Sequence, residues 1–220
     1  MPEVIFNGPD GRLEGQYHSH TNADPPIAIV LHPNPIHGGN MNNRIVYIMY
    51  NTFVKLGFSV LRFNFRGVGR SQGEFDNAIG ELSDAAYAFD WLQQQNPNSP
   101  YCWIGGYSFG ALIAMQLMMR RPEIEGFISV SPPASTDDFS FLAPCPSSGL
   151  IIHGKADENV PEDSVEKLAK KLQAQKNITI IYETIAGADH FFSKKTELLE
   201  NKVNKYLVAS LEARHKESLE

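Results

Sequence analysis

The chain has 220 residues, 42% of them hydrophobic and 20% charged, with a formal net charge of −6; this is ordinary for a soluble globular protein with one sizeable core over residues 1–220. No run approaches the roughly 18 apolar residues of a membrane helix, and an acidic chain without a Lys/Arg stripe is a poor partner for nucleic acid. Met1-Pro2-Glu3 leads straight into Val4-Ile5-Phe6 with no secretory pattern, and the two cysteines, Cys102 and Cys145, are too few for a disulfide framework and lack metal-ligand spacing, so a cytoplasmic protein with two small buried thiols is expected.

The elements follow in chain order. Val4–Asn7 and Leu13–Tyr17 read as two strands of a hairpin closed by Gly8-Pro9-Asp10-Gly11, residues suited to a tight turn. Short apolar runs come next: Ile27–Leu31, Phe58–Phe63, Tyr101–Ile104, Phe127–Val130, Leu150–Ile152 and Ile178–Tyr182. Runs of this kind suit strands buried on both faces. Between and after them, Ile79, Leu82, Ala86 and Phe89 repeat at helical spacing, as do Val165, Leu168, Ala169 and Leu172, and Leu199, Val203, Tyr206 and Leu207. Each stripe would cover one face of a sheet. The helix through Val165 opens on Pro161, Glu162 and Asp163 and ends near Lys170 and Lys171, in keeping with a proline at the first turn and with the helix dipole. Strand and helix signals alternating after a hairpin imply a mostly parallel central sheet with an antiparallel start and helices on both faces. The charged tail from Ala213 to Glu220 is expected to fray.

Gly106-Tyr107-Ser108-Phe109-Gly110 fits G-x-S-x-G between the run Tyr101–Ile104 and the helix-forming Ala111–Leu117. Such a strand-to-helix turn lifts a serine hydroxyl clear of the sheet at positive φ, at a strain of about 1 to 3 kcal/mol. Side chains two residues to either side would collide, hence the glycines. On this motif and its flanks the chain resembles the α/β-hydrolase superfamily, and more closely its small bacterial carboxylesterase and dienelactone hydrolase members, over nearly its whole length.

The resemblance implies an order of functional residues: nucleophile, then acid, then histidine. Ser108 is then the nucleophile. Of seven histidines, His190, in the loop Ala186–Phe192, lies where the family's histidine loop falls, whereas His18, His20, His32 and His37 precede Ser108, and His153 precedes the acid chosen. That acid is Asp157, between a strand and a helix; Glu158 is its neighbouring rival, and Asp137 or Asp138 a more distant one. Asp189 is assigned to shaping the histidine loop. The family's oxyanion donors fall on the backbone N–H of Phe109 and of Asn34, since Pro33 and Pro35 on either side of Asn34 have none. The usual His-Gly is His32-Pro33 here, which stiffens the loop. His32, His37 and Phe192 are expected to shape or line a substrate pocket, without forming a metal site.

From Ser131 to Gly149 there are 19 residues, broken by Pro132, Pro133, Pro144 and Pro146. That is too short for a folded cap, so an open site is expected, shielded by loops carrying Phe139, Phe141 and Phe192 unless these are core. Phe63–Gly73 nearly matches a dinucleotide fingerprint, but Gln72 stands in place of its third glycine. It resembles instead the R-G-x-G-x-S loop of α/β hydrolases, with Arg66 and Arg70 bracing loops, and no cofactor is expected. The expected partner is a small ester, cleaved through an acyl-enzyme. Thioesters, lactones and peptides suit the same residues, a non-catalytic binding role is the rival of another class, and a homodimer is left open. If His190 is the base, the rate falls as pH drops through about 6.5, where a free imidazole protonates; a pH–rate profile flat down to about pH 4 would exclude it.

Overall fold

The computed structural model describes residues 2–217. The sequence opens with a hairpin, β1 (Glu3–Gly8) and β2 (Gly11–His18), paired antiparallel. Six further strands follow: β3 (Ile27–Leu31), β4 (Ser59–Phe63), β5 (Cys102–Tyr107), β6 (Ile124–Val130), β7 (Ser148–Gly154) and β8 (Ile180–Ile185). They form one eight-stranded sheet in the order β1-β2-β4-β3-β5-β6-β7-β8, parallel from β4 to β8.

The continuous apolar runs become strands because each strand is covered on both faces, and its side chains divide by alternation. In β3, Ile27, Ile29 and Leu31 enter one core layer while Ala28 and Val30 enter the other. The first layer packs under α2 (Ile79–Gln95), α3 (Phe109–Met118) and α4 (Glu162–Gln173); the second packs under α1 (Arg44–Lys55) and α5 (Thr196–Glu217). The expected mostly parallel sheet with an antiparallel start and two helical layers is the architecture observed. Residues 131–147, between β6 and β7, form turns with no helix, so no cap covers the carboxyl edge of the sheet. Among the described residues no helix is long and apolar enough to cross a membrane.

One helix was not anticipated, and one expectation needs correction. Helix α1 lay outside the sequence reading, although Asn43, whose side chain accepts from the Ile45 N–H at 2.9 Å, is a good N-cap and the buried Ile45, Val46, Met49, Tyr50 and Phe53 follow at helical spacing. Its β-branched and aromatic residues resemble those of a strand. Ile79, assigned to the buried stripe of α2, is 73% exposed, because Ala85, Ala88 and Leu92 complete that face instead. Helix α5 runs through Glu217, and residues 218–220, the end of the tail expected to fray, lie outside the described residues.

Order of winding places the crevice. The chain runs from β3 to β4 on one side, then crosses to β5 on the other, so β3 and β5 lie side by side with Leu31 opposite Gly106. A crevice outside the carboxyl ends of such a strand pair is the expected binding position in an open α/β sheet.

The loop after β4 is pinned by a buried ion pair. Arg66 meets Asp84 of α2 through Nε at 3.0 Å and Nη2 at 2.8 Å, and its backbone N–H reaches the same carboxylate at 3.0 Å. This is the bracing role expected of Arg66. Arg70 is at the surface, paired with Glu3 at 2.6 Å. Removing one partner of a buried pair strands the other charge. Asp84→Ala is therefore expected to cost about 3 to 5 kcal/mol of unfolding free energy in urea titration; a loss under about 1 kcal/mol would show that Asp10, 3.7 Å from Arg66, suffices as counterion.

Candidate active site

Ser108 sits between β5 and α3 at φ 53° and ψ −120°, outside the regions a serine ordinarily adopts. Two close approaches hold it there. A Cβ on Gly106 would lie 2.2 Å from the Gly110 carbonyl oxygen, and a Cβ on Gly110 would lie 2.4 Å from that of Leu31. Both glycines are thus required by backbone contact. The Ser108 N–H donates to the Val130 carbonyl at 2.9 Å, tying the turn to the end of β6.

The structure brings Ser108, His190 and Asp157 into one hydrogen-bonded chain. Ser108 Oγ is 3.3 Å from His190 Nε2, and His190 Nδ1 is 2.7 Å from Asp157 Oδ2. With Asp157 ionised, Nδ1–H donates to the carboxylate, leaving Nε2 free to accept the serine proton. Asp157 is held on both sides, its Oδ1 accepting the N–H groups of Asn159 and Val160, each at 2.9 Å. Burial alone would raise its pKa; the bonds from His190 and Val160 outweigh burial and hold it below the ordinary value. None of the rivals bonds to His190: Glu158, Asp137 and Asp138 are exposed, Asp137 at the lining of the cleft. Asp189 shapes the histidine loop, accepting from the Ser193 N–H at 2.9 Å and the Ser193 hydroxyl at 2.8 Å.

Two supports of this chain escaped sequence reading. The buried Tyr107 hydroxyl donates to the His190 carbonyl at 2.9 Å, and the two rings lie 5.4 Å apart. The residue before Ser108 therefore anchors the histidine. His153 Nε2–H donates to the Val160 carbonyl at 2.9 Å behind Asp157, and burial lowers its pKa, so it stands there neutral. A tyrosine within G-x-S-x-G carries no sequence signal of its partner, because that partner is a backbone atom from a distant loop.

A cleft of about 800 Å³ opens over Ser108 and His190. Asn34, His37 and Phe109 line it as expected. The N–H groups of Asn34 and Phe109 have no acceptor among the described residues, so both remain available as donors. Asn34 also caps the short 3-10 turn Pro35–His37, its side chain accepting from the Ile36 N–H at 2.9 Å.

Two residues assigned to the pocket do not reach it. Phe192 is fully buried in the layer under α5, at φ 52°; its neighbour Phe191, 59% exposed, lines the cleft instead. The positive φ reverses the chain there and turns the second ring inward. His32 is fully buried below the loop, its Nδ1–H donating to the Pro33 carbonyl at 2.7 Å and its Nε2 accepting the Phe65 N–H at 3.0 Å. It ties the loop after β3 to the loop after β4. Phe139 is core and stacks on Phe141, and neither lines the cleft. That wall is made by Phe75, Asn77 and Ala78, which precede α2 and had no motif to mark them.

Comparisons with known proteins agree with this fold. The serine aminopeptidase S33 family matches residues 26–147, and the prolyl oligopeptidase family matches residues 125–209. A crystal structure of a protein of unknown function from Agrobacterium tumefaciens superposes with a TM-score of 0.95 at 58% identity, covering 96% of this chain and 97% of that one. A serine hydrolase without a lid from Xanthomonas campestris gives 0.83 at 32% identity, over 93% of this chain and 92% of that one. An uncharacterized protein of Rickettsia prowazekii is 54% identical over 212 residues, 94% of this chain and 89% of the relative.

His32 has a measurable signature. Burial lowers its pKa to about 4, the Pro33 carbonyl opposing only in part. A histidine depressed in the folded state contributes stability fully above its unfolded value near 6.5 and loses it as pH falls toward 4. Unfolding free energies of wild type and His32→Gln, measured at about pH 7.5 and 4.5, should converge by about 2 to 3 kcal/mol at the lower pH. A difference that does not change with pH would mean that His32 takes up its proton in the folded protein as readily as in the unfolded chain.

Proposed function

The chain belongs to the α/β-hydrolase superfamily, and from that membership we propose that it is a serine hydrolase cleaving small carboxylic esters through an acyl-enzyme on Ser108. The observation that carries this reading is the continuous relay from the Ser108 hydroxyl through His190 to the buried Asp157 carboxylate, opening on an uncapped cleft.

A serine hydroxyl is a weak nucleophile near neutral pH, so the relay must remove its proton as the bond forms. His190 Nε2 takes that proton while Oγ attacks the substrate carbonyl carbon. Asp157 keeps the other nitrogen protonated and stabilises the imidazolium. The carbonyl oxygen becomes an oxyanion, met by the N–H groups of Asn34 and Phe109, each such donor being worth about 2.7 to 4 kcal/mol. Collapse of the tetrahedral intermediate expels the alcohol, which receives the proton from His190. Water then attacks the acyl-enzyme by the same steps in reverse roles, releasing acid and free Ser108. An open cleft walled by Phe75, Phe109 and Phe191 with several amide side chains suits short acyl groups better than long buried chains.

The test is fluorophosphonate labelling with mass spectrometry, beside a panel of short-chain nitrophenyl esters and thioesters. Label is expected on Ser108 alone, with ester turnover falling about 10⁴-fold or more in Ser108→Ala. Label on another residue, or none on wild type, would overturn the assignment. Asn34 adds a sharper arm, because its φ of −54° is one that proline adopts. Asn34→Pro removes the N–H and is expected to lower kcat about 100-fold, while Asn34→Ala keeps it and most of the rate. Equal activity in the two variants would remove Asn34 from the oxyanion hole.

A further inference from the structure

A second carboxylate faces the cleft, and the relay does not use it. Asp137 lies in the loop after β6 and lines the same opening as Ser108 and His190. Its backbone N–H donates to the Pro133 carbonyl at 3.0 Å, and its Oδ2 accepts the Thr136 hydroxyl at 2.8 Å. Both contacts fix the loop and leave Oδ1 uncommitted. The neighbouring acids are occupied: Asp138 holds the Ser140 N–H at 2.8 Å and its hydroxyl at 2.6 Å, and Asp189 holds Ser193. Among the described residues no lysine or arginine lines the cleft, and none pairs with Asp137.

The other polar lining groups besides the relay are neutral amides, the Thr136 hydroxyl and the Tyr107 hydroxyl, which is committed to the His190 carbonyl, with His37 the remaining imidazole. An exposed carboxylate elsewhere on a surface is commonplace. One at the mouth of a concave site, with no cation to neutralise it, sets the sign of the local field felt by anything bound there. The chain's net charge of −6 adds to that field. We propose that Asp137 is a specificity-determining residue that makes this cleft a site for substrates carrying a cationic amine or quaternary ammonium close to the scissile carbonyl, and disfavours carboxylate-bearing ones. This rests on Ser108 being the nucleophile.

Charge a few ångströms from an exposed carboxylate is worth about three- to tenfold in rate at low salt, and less as salt screens it. The experiment reads second-order labelling of Ser108 by fluorophosphonates of equal length ending in trimethylammonium, in a neutral tert-butyl group or in carboxylate. A second series, acetyl esters of choline, of 3,3-dimethylbutanol and of a hydroxy acid, moves the charge to the alcohol side. In at least one series the cationic member should lead the neutral one by about three- to tenfold, with the anionic member slowest. Asp137→Asn should erase that lead and Asp137→Lys reverse it. Asp138→Asn, the same change in net charge one residue away, should leave it intact, separating a local effect from a global one. Labelling of Ser108 with no charge preference in either series, or a preference that survives Asp137→Asn, overturns this inference and leaves the serine-hydrolase reading standing. Failure of every probe to label Ser108 overturns that reading and this inference together.

Discussion

The functional site depends on one backbone constraint: the turn after β5 leaves no room for side chains two residues to either side of Ser108. Gly106 meets Gly110, and Gly110 meets the carbonyl of Leu31 at the end of β3. That second contact matters most, because it sets the nucleophile turn directly against the strand whose loop carries Asn34. Ser108 accepts a strained φ since the surrounding sheet, fixed by β3 and β6 on either side of β5, costs far more to disturb than one residue's torsion.

Around this turn, polar groups that would be liabilities in a core act as ties between loops. Arg66 and Asp84 join the loop after β4 to α2; His32 joins the loops after β3 and β4; Tyr107 joins β5 to the histidine loop. Glu81, fully buried, accepts from the N–H groups of Asp76 and Ala78 and shapes the wall of the cleft that precedes α2. Each tie offsets its desolvation cost with hydrogen bonds to a partner in another loop or helix, the condition under which buried polar groups are tolerated in a core. The result is an uncapped site whose loops are tied to one another by buried hydrogen bonds.

Two aspartates from successive strand ends show how environment divides labour. Asp157 is buried, bonded to an imidazole and two backbone N–H groups, and held ionised inside the relay. Asp137 is exposed and bonded to one hydroxyl. The same side chain can orient a base in the first setting and, as proposed, sort substrates by charge in the second.

Much of this was legible in the chain itself. Alternating apolar runs and helical stripes specify a layered α/β fold, because burial on two faces or one imposes the period that each segment shows. The G-x-S-x-G turn specified itself, since its glycines answer a local steric demand. Helix α1 was legible as well, through Asn43 and the spacing that follows it, but its β-branched content spoke for a strand. Tertiary structure alone decided which aromatic of the Phe191-Phe192 pair faces the cleft, that His32 lies beneath its loop, and that Tyr107 holds His190. These depend on one torsion or on a backbone atom more than 80 residues away, and a one-dimensional pattern records side-chain chemistry and period, not the direction in which a loop turns its residues.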